Sequence, residues 1–291
     1  MNFDWTPEQE ALRKEVRQFI EENVPTNLGQ ELEEGGDRER ASALRKKIAE
    51  RGWLAISWPK EYGGQGGDRM DQYIVEEEFA RVGMGVGGGG SGAGAILGAG
   101  TEEQKRYFVP KAIAGEVSLC LGFTEPQGGA DLAGLQCRAV RDGDFYIING
   151  QKMFTTGAHN TTHIYLMVRT DPTAERHRGI TILLVPMDTP GITVRPLWTV
   201  QNDPPAPPGT TYGMSRTNEV FFEDVRVPVS CRLGDENMGW YIGAQGLNLD
   251  RVGASRYLIS VHMDEDIINW AKESDLGGYS LKDDPAVRDK L

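Results

Sequence analysis

The spacing of apolar residues changes twice along this 291-residue chain, and this change most limits what the chain can fold into. Up to about residue 116 the apolar residues recur at helical spacing, and from there to about residue 228 they alternate in short runs such as HIYLMV and GITILLVPM. A helical pattern then returns. The sequence therefore predicts an α+β multidomain protein with a helical domain, a β domain and the start of a second helical domain.

The predicted boundaries follow the changes in period. We expect an all-helical N-terminal domain over 1–115, a central β domain over 116–230 and the beginning of a C-terminal helical bundle over 231–291. Asp142-Gly143 and Asn149-Gly150 stand between strand-like runs, and both dipeptides favour tight hairpin turns. The central domain is therefore expected to be a small antiparallel barrel or sandwich.

Composition excludes several classes of function. A net charge of −12 argues against a nucleic-acid partner, which needs a clustered basic face. No apolar run is long enough to span a membrane, and the chain opens into a helix rather than a secretory signal, so a cytoplasmic protein is expected. The three cysteines form no CxxC pair, and His159 and His163 fall in a turn entering a strand, so no metal site is predicted.

A glycine run, VGMGVGGGGSGAGAILGAG, occupies residues 82–100 and contains GxGxxG matches starting at Gly85 and at Gly87. A dinucleotide-binding loop needs a buried strand before the glycines. The preceding segment, DQYIVEEEFARV, has the pattern of an amphipathic helix instead. The run is therefore not predicted to bind phosphates.

Five motifs occur in a fixed order: WPKEYGGQG at 58–66, FTEPQGGAD at 123–131, INGQKMFTTGA at 148–158, TNEVFFEDVRVP at 217–228 and GDENMGW at 234–240. Together they resemble the acyl-CoA dehydrogenase family of flavoproteins over essentially the whole chain. The first motif and the LNLDR and NWAK segments are most similar to actinobacterial members that act on bulky, steroid-derived acyl-CoA thioesters. The resemblance implies FAD as the cofactor and the α,β-dehydrogenation of an acyl-CoA.

The resemblance assigns two segments to the flavin. Thr124 matches the family's hydroxyl donor, and Phe154 stands where the family usually has a tryptophan that packs the ring. Ala130 replaces a serine of the family's turn. The residues implied to contact FAD are Leu121, Phe123, Thr124, Ala130, Phe154, Thr155 and Thr156.

The resemblance also suggests a base and a substrate site. Asp250 stands where one branch of the family has its catalytic glutamate, and an aspartate paired with Arg251 on a helix surface is the alternative interpretation. Arg251 matches an arginine that contacts CoA. The helix matching 83–97 forms the floor of the acyl pocket, so Gly88 and Gly90 are interpreted as making room for a bulky acyl group, with a mobile loop as the alternative.

The implied partners are an acyl-CoA substrate, an electron-transfer flavoprotein and further subunits in a homo- or hetero-oligomer. A glycine-rich motif for the adenine half of FAD would fall beyond Leu291, so the chain is expected to be C-terminally incomplete. Two alternatives remain open: a flavin oxidase or monooxygenase of the same fold, and a non-catalytic or half-site subunit of a heteromeric acyl-CoA dehydrogenase.

Overall fold

The computed structural model describes residues 4–25, 38–82, 84–86, 90–197, 199, 217–251, 255–274 and 281–290. At 38–42, 90–91, 247–251, 255–260 and 262–263 it describes the backbone alone.

Along the chain, helices come both before and after a β-sheet. Before it come α1 (Pro7–Asn23), α2 (Arg38–Glu50), α3 (Arg69–Ala80), α4 (Gly90–Ala99) and α5 (Glu102–Ala114). After it come α6 (Gly239–Arg251), α7 (Ser255–Glu273) and α8 (Pro285–Arg288). The helix–sheet–helix order predicted from the change in hydrophobic period is confirmed.

Side-chain caps explain where the first helices begin. Thr6 caps α1: its hydroxyl oxygen accepts the Gln9 N–H, and the Gln9 side-chain oxygen accepts the Thr6 N–H, which forms a capping box. Thr101 and Gln104 form a second capping box at α5. The segment before the glycine run is the helix α3, as predicted, so a strand-led dinucleotide loop is excluded there.

The sheet has eight strands within the described residues: β1 (Leu119–Gly122), β2 (Arg138–Asp142), β3 (Phe145–Lys152), β4 (His163–Arg169), β5 (Ile180–Pro186), β6 (Ile192–Pro196), β7 (Asn218–Pro228) and β8 (Arg232–Leu233). The strand order is β6-β7-β3-β2-β4-β5-β8, and β1 pairs with β4. Within the described strands this path is open, so the sheet is not a closed barrel.

Most strand pairs are antiparallel, as predicted, but the sheet is mixed. β1 and β2 both run parallel to β4. Parallel neighbours need a long connection between them, and the chain between β1 and β4 supplies one that includes the β2–β3 hairpin. This pairing joins residues distant in sequence, so local alternation of apolar residues did not reveal it.

One of the two predicted hairpin turns is wrong. Asp142-Gly143 does join β2 to β3, with Gly143 at a φ of 60°. Asn149-Gly150 instead lies inside β3, opposite a bulge in β7. The Asn149 amide exchanges hydrogen bonds of 3.0 Å with the backbone N–H and the carboxylate of Asp224, so it stabilises the bulge rather than a turn.

β4 is buried on both faces and connects two apolar clusters. Ile164, Leu166 and Val168 lie in the cluster enclosed by the sheet. Tyr165 and Met167 point the other way, into a cluster shared with α4, α5 and α6. Burying side chains of this size contributes about 1.5–3 kcal/mol each. The second cluster therefore holds the glycine-rich helix and the start of the last helical segment against the sheet.

Candidate active site

A buried ion pair joins two of the sequence motifs. Glu125 follows β1 in the FTEPQGGAD motif, and Lys152 ends β3 in the INGQKMFTTGA motif. The Lys152 ammonium donates to Glu125 Oε1 at 2.7 Å, and their side chains are 0% and 1% exposed. A lysine and a glutamate are almost never this buried unless they are paired.

The Glu125 carboxylate is fully supplied with donors. Its oxygens accept hydrogen bonds from Gln127 Nε2 at 2.6 Å, from the Gln136 N–H at 2.6 Å and from the Cys137 N–H at 2.9 Å. Lys152 also donates to the Phe123 carbonyl at 3.1 Å. Each polar group of the pair thus has partners, as a buried charge requires.

Glu125 and Lys152 were not among the predicted site residues. The signal that could have identified Lys152 is its position in β3: Tyr146 and Ile148 point into the core, and Lys152 continues the inward-facing positions. A charged residue on the buried face of a strand indicates a buried partner. The sequence does not indicate which acidic residue this partner is.

The same contacts bring the two predicted cofactor segments together. The Met153 N–H donates to the Thr124 carbonyl at 2.9 Å, so the segment leading to Phe154 lies against the end of the FTE segment. Leu121 pairs with Tyr165 across β1 and β4, and Phe123 packs on the Tyr165 ring at a centroid distance of 5.7 Å. The two segments are therefore neighbours in the fold, and their sharing of one cofactor site stays a prediction.

Phe154 has an unusual backbone and an exposed ring. Its φ is 54°, in the left-handed region that residues other than glycine rarely adopt. Its side chain is 54% exposed although it is aromatic. Strained residues of this kind concentrate at ligand sites, and an exposed aromatic ring offers a stacking surface.

Thr155, next in sequence, is 0% exposed and tightly held by its backbone. Its N–H donates to the Asn218 carbonyl at 2.9 Å, and the Asn218 amide donates to the Thr155 carbonyl at 3.1 Å. The Thr155 hydroxyl, however, has no hydrogen-bond partner among the described residues. A buried hydroxyl without a partner costs about 1–3 kcal/mol, so this atom is suited to a ligand.

The remaining predicted cofactor residues differ in exposure. Leu121, Phe123 and Thr124 are half-buried, whereas Ala130 and Thr156 are exposed. Next to Ala130, Asp131 forms an exposed ion pair with Arg176.

Tyr165 is a second buried hydroxyl in this region. It is 2% exposed, and its hydroxyl has no partner among the described residues. Burial raises the pKa of its phenol, so the group stays protonated.

The predicted base and substrate residues are less completely placed. Asp250 and Arg251 are the last two residues of α6, and their side chains lie outside the described part of the chain. Gly90 is the first residue of α4, and Gly88 lies outside the described residues. No described contact joins these four residues to the two cofactor segments.

Glycines do allow the neighbouring helices to approach the sheet. A Cβ at Gly243 of α6 would stand 2.0 Å from the Met167 side chain of β4. A Cβ at Gly92 of α4 would stand 3.1 Å from Leu119 of β1, whereas one at Gly98 would meet nothing within 4 Å. Part of the glycine run therefore serves close packing, and part faces open space.

The residues present fit a flavin. An exposed aromatic ring, the unpartnered Thr155 hydroxyl and the half-buried Thr124 lie in adjoining segments, as a ring with polar edges requires.

Among the described residues no group of three or more histidine, cysteine or acidic side chains is placed to hold a metal ion. None of the described helices is long and apolar enough to cross a membrane.

Two domain families match the sequence. Residues 6–116 match the acyl-CoA dehydrogenase N-terminal domain, and residues 120–225 match the acyl-CoA dehydrogenase middle domain.

Individual relatives agree with these matches. Acyl-CoA dehydrogenase FadE26 of Mycobacterium tuberculosis is 38% identical over 298 residues, covering 99% of this chain and 72% of the relative. The caffeyl-CoA reductase-Etf complex subunit CarC of Acetobacterium woodii is 31% identical, covering 97% of this chain and 73% of that subunit. The solved structure of the Tcur3481-Tcur3483 steroid ACAD superposes with a TM-score of 0.84 at 35% identity, covering 99% of this chain and 72% of that one. The chain belongs to the acyl-CoA dehydrogenase family of oxidoreductases.

Proposed function

We propose that this chain carries out the FAD-dependent α,β-dehydrogenation of an acyl-CoA thioester to the trans-2-enoyl-CoA. The observation that supports this most is the pairing of an exposed, strained Phe154 with the buried, unpartnered hydroxyl of Thr155, held against the Phe123–Thr124 segment. Consecutive residues of the chain thus carry an exposed aromatic ring and a buried hydroxyl without a partner among the described residues. Membership of a family of oxidoreductases agrees with it.

The cofactor would lie against both segments. Leu121, Phe123, Thr124 and Ala130 would line one edge, and Phe154, Thr155 and Thr156 the other. When bound, FAD supplies the acceptor for the hydride that leaves the β-carbon of the substrate. Phenylalanine at 154 gives the same stacking surface as the family's tryptophan but no indole donor, so the Thr155 hydroxyl gains importance as a polar contact.

Asp250 is proposed as the general base that takes the α-proton of the thioester on a carboxylate oxygen. Position 250 lies two turns, about 10 Å, beyond Gly243 in α6, where a Cβ would stand 2.0 Å from the Met167 side chain of the sheet. A positioned base of this kind contributes roughly a hundred- to ten-thousand-fold to the rate. Aspartate is one methylene shorter than glutamate, so the substrate has to approach this helix more closely.

Arg251 is proposed to bind the CoA portion of the substrate. A guanidinium offers five N–H donors in a planar fork, which suits phosphate oxygens and the carbonyls of pantetheine. The protein carries a net charge of −12, so a local cation is needed to hold an anionic substrate.

The substrate is proposed to carry a bulky acyl group, because the glycine run lacks the side chains that would fill an acyl pocket. Structural similarity to a steroid ACAD supports this proposal. Replacing Gly88 and Gly90 by leucine should shift the preference from bulky to short acyl chains. The test is the ratio of kcat/KM for a steroid-derived and a short-chain thioester, with Gly98→Leu as the matched control. An unchanged ratio in the Gly88 and Gly90 variants would contradict the pocket hypothesis.

An electron-transfer flavoprotein is proposed as the electron acceptor. The active enzyme is proposed to be an oligomer, in which this chain assembles with identical or different subunits. CarC, a relative over 97% of this chain, is a subunit of a reductase-Etf complex. A half-site subunit that completes a shared flavin site is the second candidate.

The proposed reaction can be tested by product analysis. The FAD-reconstituted chain is incubated with a panel of acyl-CoA thioesters and either an electron-transfer flavoprotein or a dye acceptor. We expect a product two hydrogens lighter from one class of thioester, detected by mass spectrometry, without oxygen consumption. Oxygen consumption would indicate an oxidase, and turnover only after a partner subunit is added would indicate a half-site.

A further inference from the structure

We propose that Glu125 and Lys152 are positioning residues that fix the spacing between the two cofactor segments, 121–130 and 153–156. This inference rests on the proposed function, since it assigns a role in holding the flavin. Neither residue is expected to touch substrate or cofactor. Their effect passes through the backbone to which they are bonded.

The geometry of the lysine links the two segments directly. Lys152 comes two residues before Phe154, and its ammonium reaches the Phe123 carbonyl at 3.1 Å and Glu125 Oε1 at 2.7 Å. The Met153–Thr124 backbone hydrogen bond lies between these contacts. The connection therefore spans the boundary between the two segments at three points and leaves little freedom for one to slide against the other.

The carboxylate extends this link to a third stretch of chain. Glu125 accepts the N–H groups of Gln136 and Cys137 and the side-chain amide of Gln127. Both ends of the loop that carries Ala130 are thereby fixed to one carboxylate. A loop held at both ends keeps its exposed residues in place for a ligand.

Charge and burial explain why both members are needed. The pair is buried in an interior where an isolated charge is very unfavourable, so removing one member leaves the other uncompensated. Replacing both by neutral groups of similar volume is often tolerated for stability. Such a double replacement would lose the hydrogen bond to the Phe123 carbonyl and would leave one amide oxygen in place of two carboxylate oxygens for the N–H groups of Gln136 and Cys137. The effect of the pair on the stability of the fold can therefore be separated from its effect on the position of the two segments.

The experiment compares Lys152→Met, Glu125→Gln and the double variant with the unaltered chain. The matched control is Glu78→Gln in α3, because Glu78 is 2% exposed and pairs with Arg17 at 2.7 Å and with Arg13 at 3.2 Å, far from these segments in sequence. Three quantities are measured: the melting temperature, the Kd for FAD by absorbance titration, and amide hydrogen exchange over 121–131 and 153–156 without FAD.

We expect Lys152→Met to raise the FAD Kd at least about tenfold and to accelerate exchange in both segments. The double variant should recover the melting temperature while its Kd stays raised, and Glu78→Gln should lower the melting temperature without changing the Kd. The proposal is wrong if the double variant recovers both quantities, or if exchange in the two segments is unchanged. If the unaltered chain binds no FAD, the proposed function fails, and the exchange data alone still decide the positioning role.

Discussion

The Thr155 hydroxyl gives a prediction in which stability and cofactor binding change in opposite directions. Replacing Thr155 by valine keeps the shape of the side chain and removes a hydroxyl that is buried and has no partner among the described residues. The backbone hydrogen bonds between Thr155 and Asn218 do not depend on the side chain and should remain. The variant therefore isolates one polar atom.

The size of the effect follows from the environment of that atom. An unsatisfied buried hydroxyl costs about 1–3 kcal/mol, so its removal should stabilise the flavin-free chain by this amount. For a domain of this size each kcal/mol corresponds to about 2–4 °C in melting temperature. Losing one hydrogen bond of about 0.5–1.5 kcal/mol should weaken FAD binding roughly two- to tenfold.

The control is the same substitution at a hydroxyl that has partners. Thr181 is also 0% exposed, but its hydroxyl lies 2.6 Å from Thr170 Oγ1 and accepts the Asn237 N–H at 2.8 Å. Thr181→Val should therefore destabilise the chain by about 1–3 kcal/mol, the opposite sign. Thermal unfolding without FAD and absorbance titration with FAD measure the two effects.

Two results would refute the reasoning about Thr155. If Thr155→Val melts lower than the unaltered chain, its hydroxyl has a partner in the folded protein. If the variant melts higher but binds FAD equally well, the hydroxyl is not a flavin contact. The second result would leave the fold interpretation intact and remove Thr155 from the site.

Three further predictions concern the base, the glycine helix and pH. Asp250→Asn should lower kcat about a hundred- to ten-thousand-fold with FAD binding unchanged, and full turnover would show that Asp250 is not the base. In α4, Gly92→Leu should destabilise the chain by about 1–3 kcal/mol because the new side chain would collide with Leu119. Gly98→Ala should stabilise it by up to about 1 kcal/mol, because the added methyl group meets no atom and alanine favours the helix. Equal melting temperatures of the two variants would contradict the packing argument. Burial lowers the pKa of His163 below its usual value of 6.5, so the unfolded chain binds more protons than the folded chain as the pH falls through this range. The free energy of unfolding, measured with urea, should therefore decrease as the pH drops below about 6.5. The decrease should be smaller in His163→Gln.

Local signals predicted the helical parts of the fold well. The amphipathic pattern before the glycine run depends on residues within one or two turns of each other, and the expected helix forms there. The domain boundaries at residues 115 and 230 stay predictions. The prediction of a hairpin turn at Asp142-Gly143 is confirmed, because the signal for such a turn is contained in two neighbouring residues.

Long-range contacts limited the prediction of the sheet and the site. The parallel pairing of β1 with β4 and the Asn149–Asp224 contact join residues that are distant in sequence. The Glu125–Lys152 pair spans 27 positions, so its partners cannot be matched from their motifs alone. The cofactor segments were predicted because their motifs resemble those of a family, and they stay a prediction, whereas the unpartnered Thr155 hydroxyl became visible only with the fold.

The most direct test of the central claim is the visible absorption spectrum of the purified chain with FAD, recorded without oxygen before and after each acyl-CoA of a panel that includes steroid thioesters. The proposed function predicts a protein-bound flavin spectrum that bleaches with one class of thioester and returns when an electron acceptor is added. A spectrum identical to free FAD, unchanged by every thioester, would contradict the claim that these two segments form a flavin site for acyl-CoA oxidation.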